Sequence, residues 1–346
     1  MKAAFCPAPR TIELRDVERP SPAVGEVIVR VRCCGICGSD LHWFHGGFPP
    51  PPVCPGHEIA GEIADVGSGV VGVRSGDRVA VEPLVTCGRC SACRTGDYQI
   101  CRQFQILGTV LDGGLAEYVR VPAYAVFPLP AELDFEIGAL TEPMAVCAHA
   151  ARLGHIRLGD RVLVLGAGTI GLLSVLAARV AGATDVGVTA RHPHQAALAR
   201  RLGASQVFAN SAEGQAQLEA FVRDHPVDVV IETVGGHADT LDQAIEAVRP
   251  GGTVVILGVF TSRPPCNALG LVIKEVRVIG SLTYGRSGPR ADFDVAVDIL
   301  RTRVALVREL ITHRFELNTV QTAFETAADK AQGAIKVSVR CDAQEG

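Results

Sequence analysis

The run Arg161-Val162-Leu163-Val164-Leu165-Gly166-Ala167-Gly168-Thr169-Ile170-Gly171 carries more architectural information than any other segment of the chain. A short apolar strand, Arg161 to Leu165, enters a glycine-rich turn. A helix follows from Thr169 to Ala181 and is closed by Gly182. In this strand–turn–helix context the pattern Gly166-x-Gly168-x-x-Gly171 has a mechanical reading. Gly166 makes the tight turn, Gly168 lets backbone approach a pyrophosphate, and Gly171 allows close packing of helix on sheet. The helix N-terminus, with Thr169 and Ile170 in its first turn, supplies amide donors and a favourable dipole for phosphate.

The same rhythm continues downstream. Strands are predicted at Asp185 to Thr189, Gln206 to Phe208, Asp228 to Ile231, Thr253 to Gly258 and Val276 to Gly280. Helices fall between them, one ending at Leu202 and others near Leu218 to Arg223 and Ala238 to Val248. Alternating elements of this length specify an α/β fold with a doubly wound parallel sheet. Upstream the character differs. Val27 to Cys33 and Arg78 to Val81 are β-branched runs separated by Gly- and Pro-dense loops, including Pro49 to Pro52, which excludes a helix or a central strand. We expect three segments: a mainly β catalytic domain with the metal sites over 1–148, the dinucleotide domain over 149–285, and a return over 286–346. That last segment has helix-like stretches at Ala291 to Thr302 and Val320 to Ala327. It ends in a strand-like Ala334 to Val339 that is expected to rejoin the first sheet.

Composition narrows the class. At 346 residues the chain exceeds what one core usually fills. A formal net charge of −4 with interspersed signs gives no electrostatic basis for nucleic acid or an anionic membrane as partner. No apolar stretch is long enough to span a bilayer, and Met1 to Phe5 followed by Pro7 and Pro9 lacks the apolar core of a signal peptide. Twelve cysteines with metal-type spacing read as reduced thiols, which implies a cytoplasmic protein.

Those cysteines bring the chemistry. Cys87-x2-Cys90-x2-Cys93-x7-Cys101 can close a tetrahedral zinc site. Cys37 and the triplet Gly56-His57-Glu58 supply a thiolate, an imidazole and a carboxylate, a set suited to a zinc with an open position. One structural and one catalytic metal beside a dinucleotide point to alcohol redox chemistry. The end of the second predicted strand then bears on which dinucleotide. An acid there would bind the adenosine ribose of NAD, but the chain has Thr189-Ala190-Arg191-His192. Loss of the acid removes repulsion against a 2′-phosphate, and Arg191 can pair with it bidentately, so NADP is predicted.

These motifs resemble the zinc-dependent medium-chain dehydrogenase/reductase family over essentially the whole chain. Gly56-His57-Glu58-x2-Gly61-x5-Gly67-x2-Val70 matches its zinc alcohol dehydrogenase signature, and the cysteine quartet matches its structural-zinc lobe. Cys37-Gly38-Ser39-Asp40-Leu41-His42 resembles its first zinc ligand with the proton-relay segment. Glu142-Pro143 resembles its polyol and threonine dehydrogenase branch. The resemblance implies a GroES-like catalytic domain and two zinc ions per chain. It also implies a catalytic shell of Cys37, His57 and Glu58 or Glu142, the two acids exchanging. By the same resemblance Ser39 is the first proton carrier, His42 passes the proton toward solvent, and Asp40 orients His57.

The implied reaction is hydride transfer between NADP(H) and a secondary alcohol, diol or polyol and its ketone. The same reaction with NAD(H) on threonine- or sorbitol-like substrates is the alternative. A zinc-free quinone or enal reductase is opposed by Cys37, His57 and Glu58, and a non-catalytic cofactor-binding protein by the intact metal, relay and phosphate motifs. Trp43, Phe44 and Phe48 are candidate pocket walls. The family implies a homodimer or homotetramer, with Thr253 to Val259 a candidate edge for pairing across a dimer.

Overall fold

The β-branched residues between Glu26 and Ile36 suit a pleated surface buried on both faces. In the computed structural model, which describes residues 1–342, they form the eleven-residue strand β1 (Glu26–Ile36). Helix α1 (Gly38–Phe44) follows directly, with Cys37 at its N-cap. β2 (Glu58–Val66) pairs antiparallel with β1, and β3 (Arg78–Val81) pairs with β2. β4 (Tyr118–Pro122) lies against the first half of β1, and β5 (Val126–Pro128) against β3. Helix α2 (Thr141–Leu153) carries Glu142 in its first turn.

The next stretch alternates strictly. β6 (Arg161–Leu165) is buried after its first residue and leads through Gly166 into α3 (Thr169–Ala181). β7 (Asp185–Ala190), α4 (Pro193–Arg201), β8 (Gln206–Ala209), α5 (Ala212–Asp224), β9 (Val227–Glu232), α6 (Thr240–Ala247), β10 (Val248–Ile256), α7 (Ala268–Lys274) and β11 (Arg277–Gly280) complete it. All six strands are parallel, in the order β8-β7-β6-β9-β10-β11. The order reverses between β6 and β9, which opens a crevice at their carboxyl ends. Gly166 sits at φ +100°, and a Cβ there would strike Val234 and Thr233, so only glycine fits this turn.

Two later strands, β12 (Ile311–Glu316) and β13 (Lys336–Arg340), pair in parallel with each other, and β13 pairs antiparallel with the second half of β1. They extend the first sheet to seven strands. By its contacts the chain forms two compact units, Met1–Glu142 with the segment from Gly285 onward, and Pro143–Tyr284. The first has a core built on Val27, Val29, Val31, Ile59 and Phe324. The second has one built on Leu163, Phe208, Phe221, Val230 and Ile245.

Several sequence expectations shift. The strand expected at Thr253 begins at Val248 and passes an irregularity at Arg249-Pro250-Gly251-Gly252, residues that read as a turn in isolation. It is an interior strand between β9 and β10's other neighbour, β11, so Thr253 to Val259 is not an edge; the edges are β8 and β11. The helix expected near Leu218 starts six residues earlier, because Ser211 caps it by accepting from the Gly214 amide at 3.1 Å.

Candidate active site

Five polar side chains converge on the end of β1 and the start of β2, all in the first unit. Cys37 ends the extended segment. Its amide donates to Asp40 Oδ2 at 2.8 Å, tying the first turn of α1 to the strand. Asp40 Oδ1 lies 3.5 Å from His57 Nδ1, and Ser39 Oγ lies 3.4 Å from His57 Nε2. Nδ1 thus faces a carboxylate and Nε2 faces Ser39, although Asp40 Oδ1 and His57 Nδ1 are not hydrogen-bonded to each other. His57 also interacts with Cys37 and Glu142. Burial opposes its charge, but Asp40, Cys37 and Glu142 together raise its pKa well above the usual imidazole range. Burial pushes the Glu142 carboxyl up to about 7 despite His57 nearby, and it raises Asp40 as well.

Glu58 is engaged elsewhere. Lys336 Nζ, from β13, lies 2.5 and 2.6 Å from its two carboxylate oxygens and donates to the Ile36 carbonyl at 3.1 Å. Both side chains are buried. Gly35 stands opposite Glu58 in the β1–β2 register, and a Cβ at Gly35 would overlap Glu58 Oε2. Sequence reasoning missed Lys336. Nothing local marked it: Lys336 shares its strand with the polar Ser338 and Arg340.

The donor set fits a divalent cation. Asp40, Glu58 and Glu142 are buried beside the Cys37 thiol, and among the described residues the buried cations there are Lys336 and His57, with the exposed Lys330 also near Cys37. Buried acids in excess of buried bases call for a metal or for protons. Cys37, His57, Glu58 and Glu142 do not, however, converge as tightly as the cysteine quartet. Among the described residues Cys87, Cys90, Cys93 and Cys101 are the one such set with ligand atoms all within 4.8 Å of one another. Their sulfurs approach to 3.4, 3.5 and 3.8 Å. A tetrahedron with Zn–S of about 2.3 Å requires S···S near ~3.8 Å, so the quartet fits zinc. The amides of Arg89 and Cys90 lower the Cys87 thiol to about 6, whereas burial and neighbouring thiols raise Cys93 to about 11.

His42 lies in the last turn of α1, its pKa lowered by burial and by His45, with its ring edge-on to Phe48 at 5.8 Å. Phe48 is exposed. Phe44 is instead a core residue, packed on Phe324 at 5.4 Å, which corrects its assignment as a pocket wall. The helix places Phe44 two residues beyond His42, on a different face. Trp43 is also buried.

In the second unit, Gly168 is the N-cap of α3, and the Gly166 amide donates to Thr189 Oγ1 at 2.8 Å. Gly171 packs against the Gly166 carbonyl, where any Cβ would overlap it. Ala190 is buried at the end of β7, and the exposed Arg191 that follows makes no hydrogen bond or ion pair with any described residue. His192 caps α4 and stacks on His194, ring centroids 5.4 Å apart.

Comparison with known proteins agrees with this chemistry. Residues 23–131 match the alcohol dehydrogenase GroES-like domain, and residues 169–302 match the zinc-binding dehydrogenase domain. The chain is 35% identical to sorbitol dehydrogenase of Bacillus subtilis (strain 168), covering 98% of this chain and 97% of that one. A zinc-binding dehydrogenase from Sinorhizobium meliloti 1021 bound to NADP superposes with a TM-score of 0.88 at 35% identity, covering 98% of each chain. An alcohol dehydrogenase from Escherichia coli CFT073 complexed with NADH also gives 0.88, at 30% identity, covering 98% of this chain and 99% of that one.

Proposed function

The chain belongs to the zinc-dependent medium-chain alcohol dehydrogenase family and is an oxidoreductase acting on CH–OH groups; from that premise we propose that it transfers hydride between NADP(H) and a secondary alcohol, diol or polyol. The observation that carries the site assignment is the cluster of half-buried Cys37 and Ser39 with buried Asp40, His57 and Glu142.

In this reading Cys37, His57 and Glu142 hold a catalytic zinc, and Cys87, Cys90, Cys93 and Cys101 hold a structural one. When bound, the catalytic zinc supplies a Lewis acid that eases loss of the substrate hydroxyl proton, while the nicotinamide takes the hydride. Asp40 keeps the His57 ring oriented through Nδ1. Lys336 occupies both Glu58 oxygens, which favours Glu142 as the acid that faces the metal. Ser39 Oγ is the first carrier of the substrate proton, taking it as it gives up its own toward the nicotinamide ribose, and His42 is a later carrier nearer solvent. Burial lowers the His42 pKa, so the neutral ring can accept that proton and release it to solvent.

NADP preference rests on Arg191. It has no partner among the described residues, and the preceding Ala190 leaves no carboxylate at that position to repel a 2′-phosphate. All twelve cysteines are free, which supports a reducing compartment such as the cytoplasm; no helix among the described residues is long and apolar enough to cross a membrane. A homo-oligomer is supported by the edge strand β11 and the adjacent helix α7, where Leu269, Val272 and Ile273 are 69–75% exposed.

The test is oxidation of NADPH and NADH against a panel of ketones, hydroxyketones and ketoses, with and without chelator. Chelator-sensitive turnover favouring NADPH supports the whole reading. Turnover with NADH alone rejects the Arg191 assignment, and chelator-insensitive turnover rejects the metal mechanism.

A further inference from the structure

Glu232, the last residue of β9, is fully buried, yet no lysine, arginine or histidine among the described residues pairs with it. Its Oε1 accepts three hydrogen bonds, from the amides of Val234 and Gly235 at 2.7 and 2.9 Å and from Thr240 Oγ1 at 2.7 Å. Its Oε2 has no partner and faces Gly258, where any Cβ would overlap it. An apolar or amide side chain would cost less to bury than this carboxylate, so stability alone does not account for it.

The three donors all belong to the loop and helix start that follow β9. That loop abuts the glycine turn. The Thr233 amide and Oγ1 both donate to the Leu165 carbonyl, at 3.0 and 2.7 Å, and a Cβ on Gly166 would strike Val234. Glu232 itself stands in register with Leu165 across the β6–β9 boundary, where the strand order reverses. The loop is also knitted to the one after β10: the Gly236 amide donates to the Val259 carbonyl at 2.8 Å, and the Thr261 amide to the Gly236 carbonyl at 3.1 Å. Val234 remains 48% exposed at this crevice although the amides from Thr233 to Gly236 are all hydrogen-bonded.

We infer that Glu232 is a positioning residue for the dinucleotide: from beneath, its carboxylate fixes the crevice wall opposite Gly166, so that Val234 and Gly235 are preorganised to pack against the cofactor. This rests on the reading that the cofactor binds at the Gly166 turn. Glu232 does not itself touch the cofactor, so its effect is on affinity for both dinucleotides and is independent of the 2′-phosphate.

The experiment is calorimetric titration of the full chain with NADPH and with NADH, for wild type, Glu232→Gln, Thr240→Val and Thr240→Ser. Charge-assisted bonds to one loop are at stake, so Glu232→Gln is expected to weaken both cofactors by roughly ten-fold and Thr240→Val by about three-fold. Thr240→Ser, which keeps the hydroxyl, is expected to restore wild-type affinity. KM for the alcohol and the zinc content should not change. If Glu232→Gln does not fold, the Thr240 pair decides. A lowered melting temperature with unchanged affinity for both cofactors would overturn the inference and leave Glu232 a structural residue. Failure of the wild type to bind either cofactor would instead overturn the cofactor reading, and this inference with it.

Discussion

Replacing Lys336 with Met is the most direct probe of the site's electrostatics. The lysine and Glu58 are both buried, and Nζ reaches both carboxylate oxygens and the Ile36 carbonyl. Methionine matches the stem in length but offers no donor. Glu58 is then a buried acid without its cation, and a main-chain acceptor is left unpaired. Breaking a buried pair from one side costs about 3–5 kcal/mol, because the surviving charge keeps its desolvation penalty. For a unit of about 200 residues each kcal/mol moves the melting temperature by roughly 2–4 °C, so a fall of about 10 °C is expected. The assay is differential scanning calorimetry on Lys336→Met, Glu58→Gln and the double variant. The double variant removes both charges and should regain most of the loss, giving a coupling energy of a few kcal/mol. A Lys336→Met protein that melts within about 2 °C of wild type would refute the argument; Glu58 would then have another partner.

Three further outcomes are expected. Ala190→Asp with Arg191→Ser should shift cofactor preference from NADP toward NAD by about 10–100-fold in kcat/KM, since a charge-assisted phosphate contact is lost and a repulsive carboxylate gained; an unchanged ratio would sink the Arg191 assignment. Cys90→Ser should lower zinc content from two ions per chain to one, read by elemental analysis, and should destabilise the chain more than Cys266→Ser at an exposed thiol. Glu82 is buried and its carboxyl is pushed up to about 8 by burial, partly offset by the Tyr98 hydroxyl. A folded pKa above the unfolded value means its contribution is fully present below about 4.5 and is lost as pH rises toward about 8. Glu82→Gln should therefore flatten the decline in melting temperature between pH 5 and pH 8, and an unaltered pH profile would contradict the burial argument.

Fold class, family and reaction type are readable from the amino-acid order alone, because each is written in local patterns. The strand–turn–helix at Arg161 to Ala181 states its own geometry through glycine spacing and apolar periodicity. The quartet Cys87 to Cys101 is close in space because it is close in the chain, folded around a short helix at Ser91–Thr95. Boundaries were less legible: Pro250, Gly251 and Gly252 read as a turn, yet pairing with β9 carries the strand through them. Other features emerge on folding. Lys336 meets Glu58 across 278 residues, Thr240 meets Glu232 beneath a loop, and β11 rather than β10 became the edge. Phe44, an aromatic beside the relay segment, went to the core. None of these has a local signature. The Glu58 partner and the sheet edge follow from which strands become neighbours, a choice made by burial of the whole chain, so that one carboxylate's partner sits on a strand folded from the other end of the molecule.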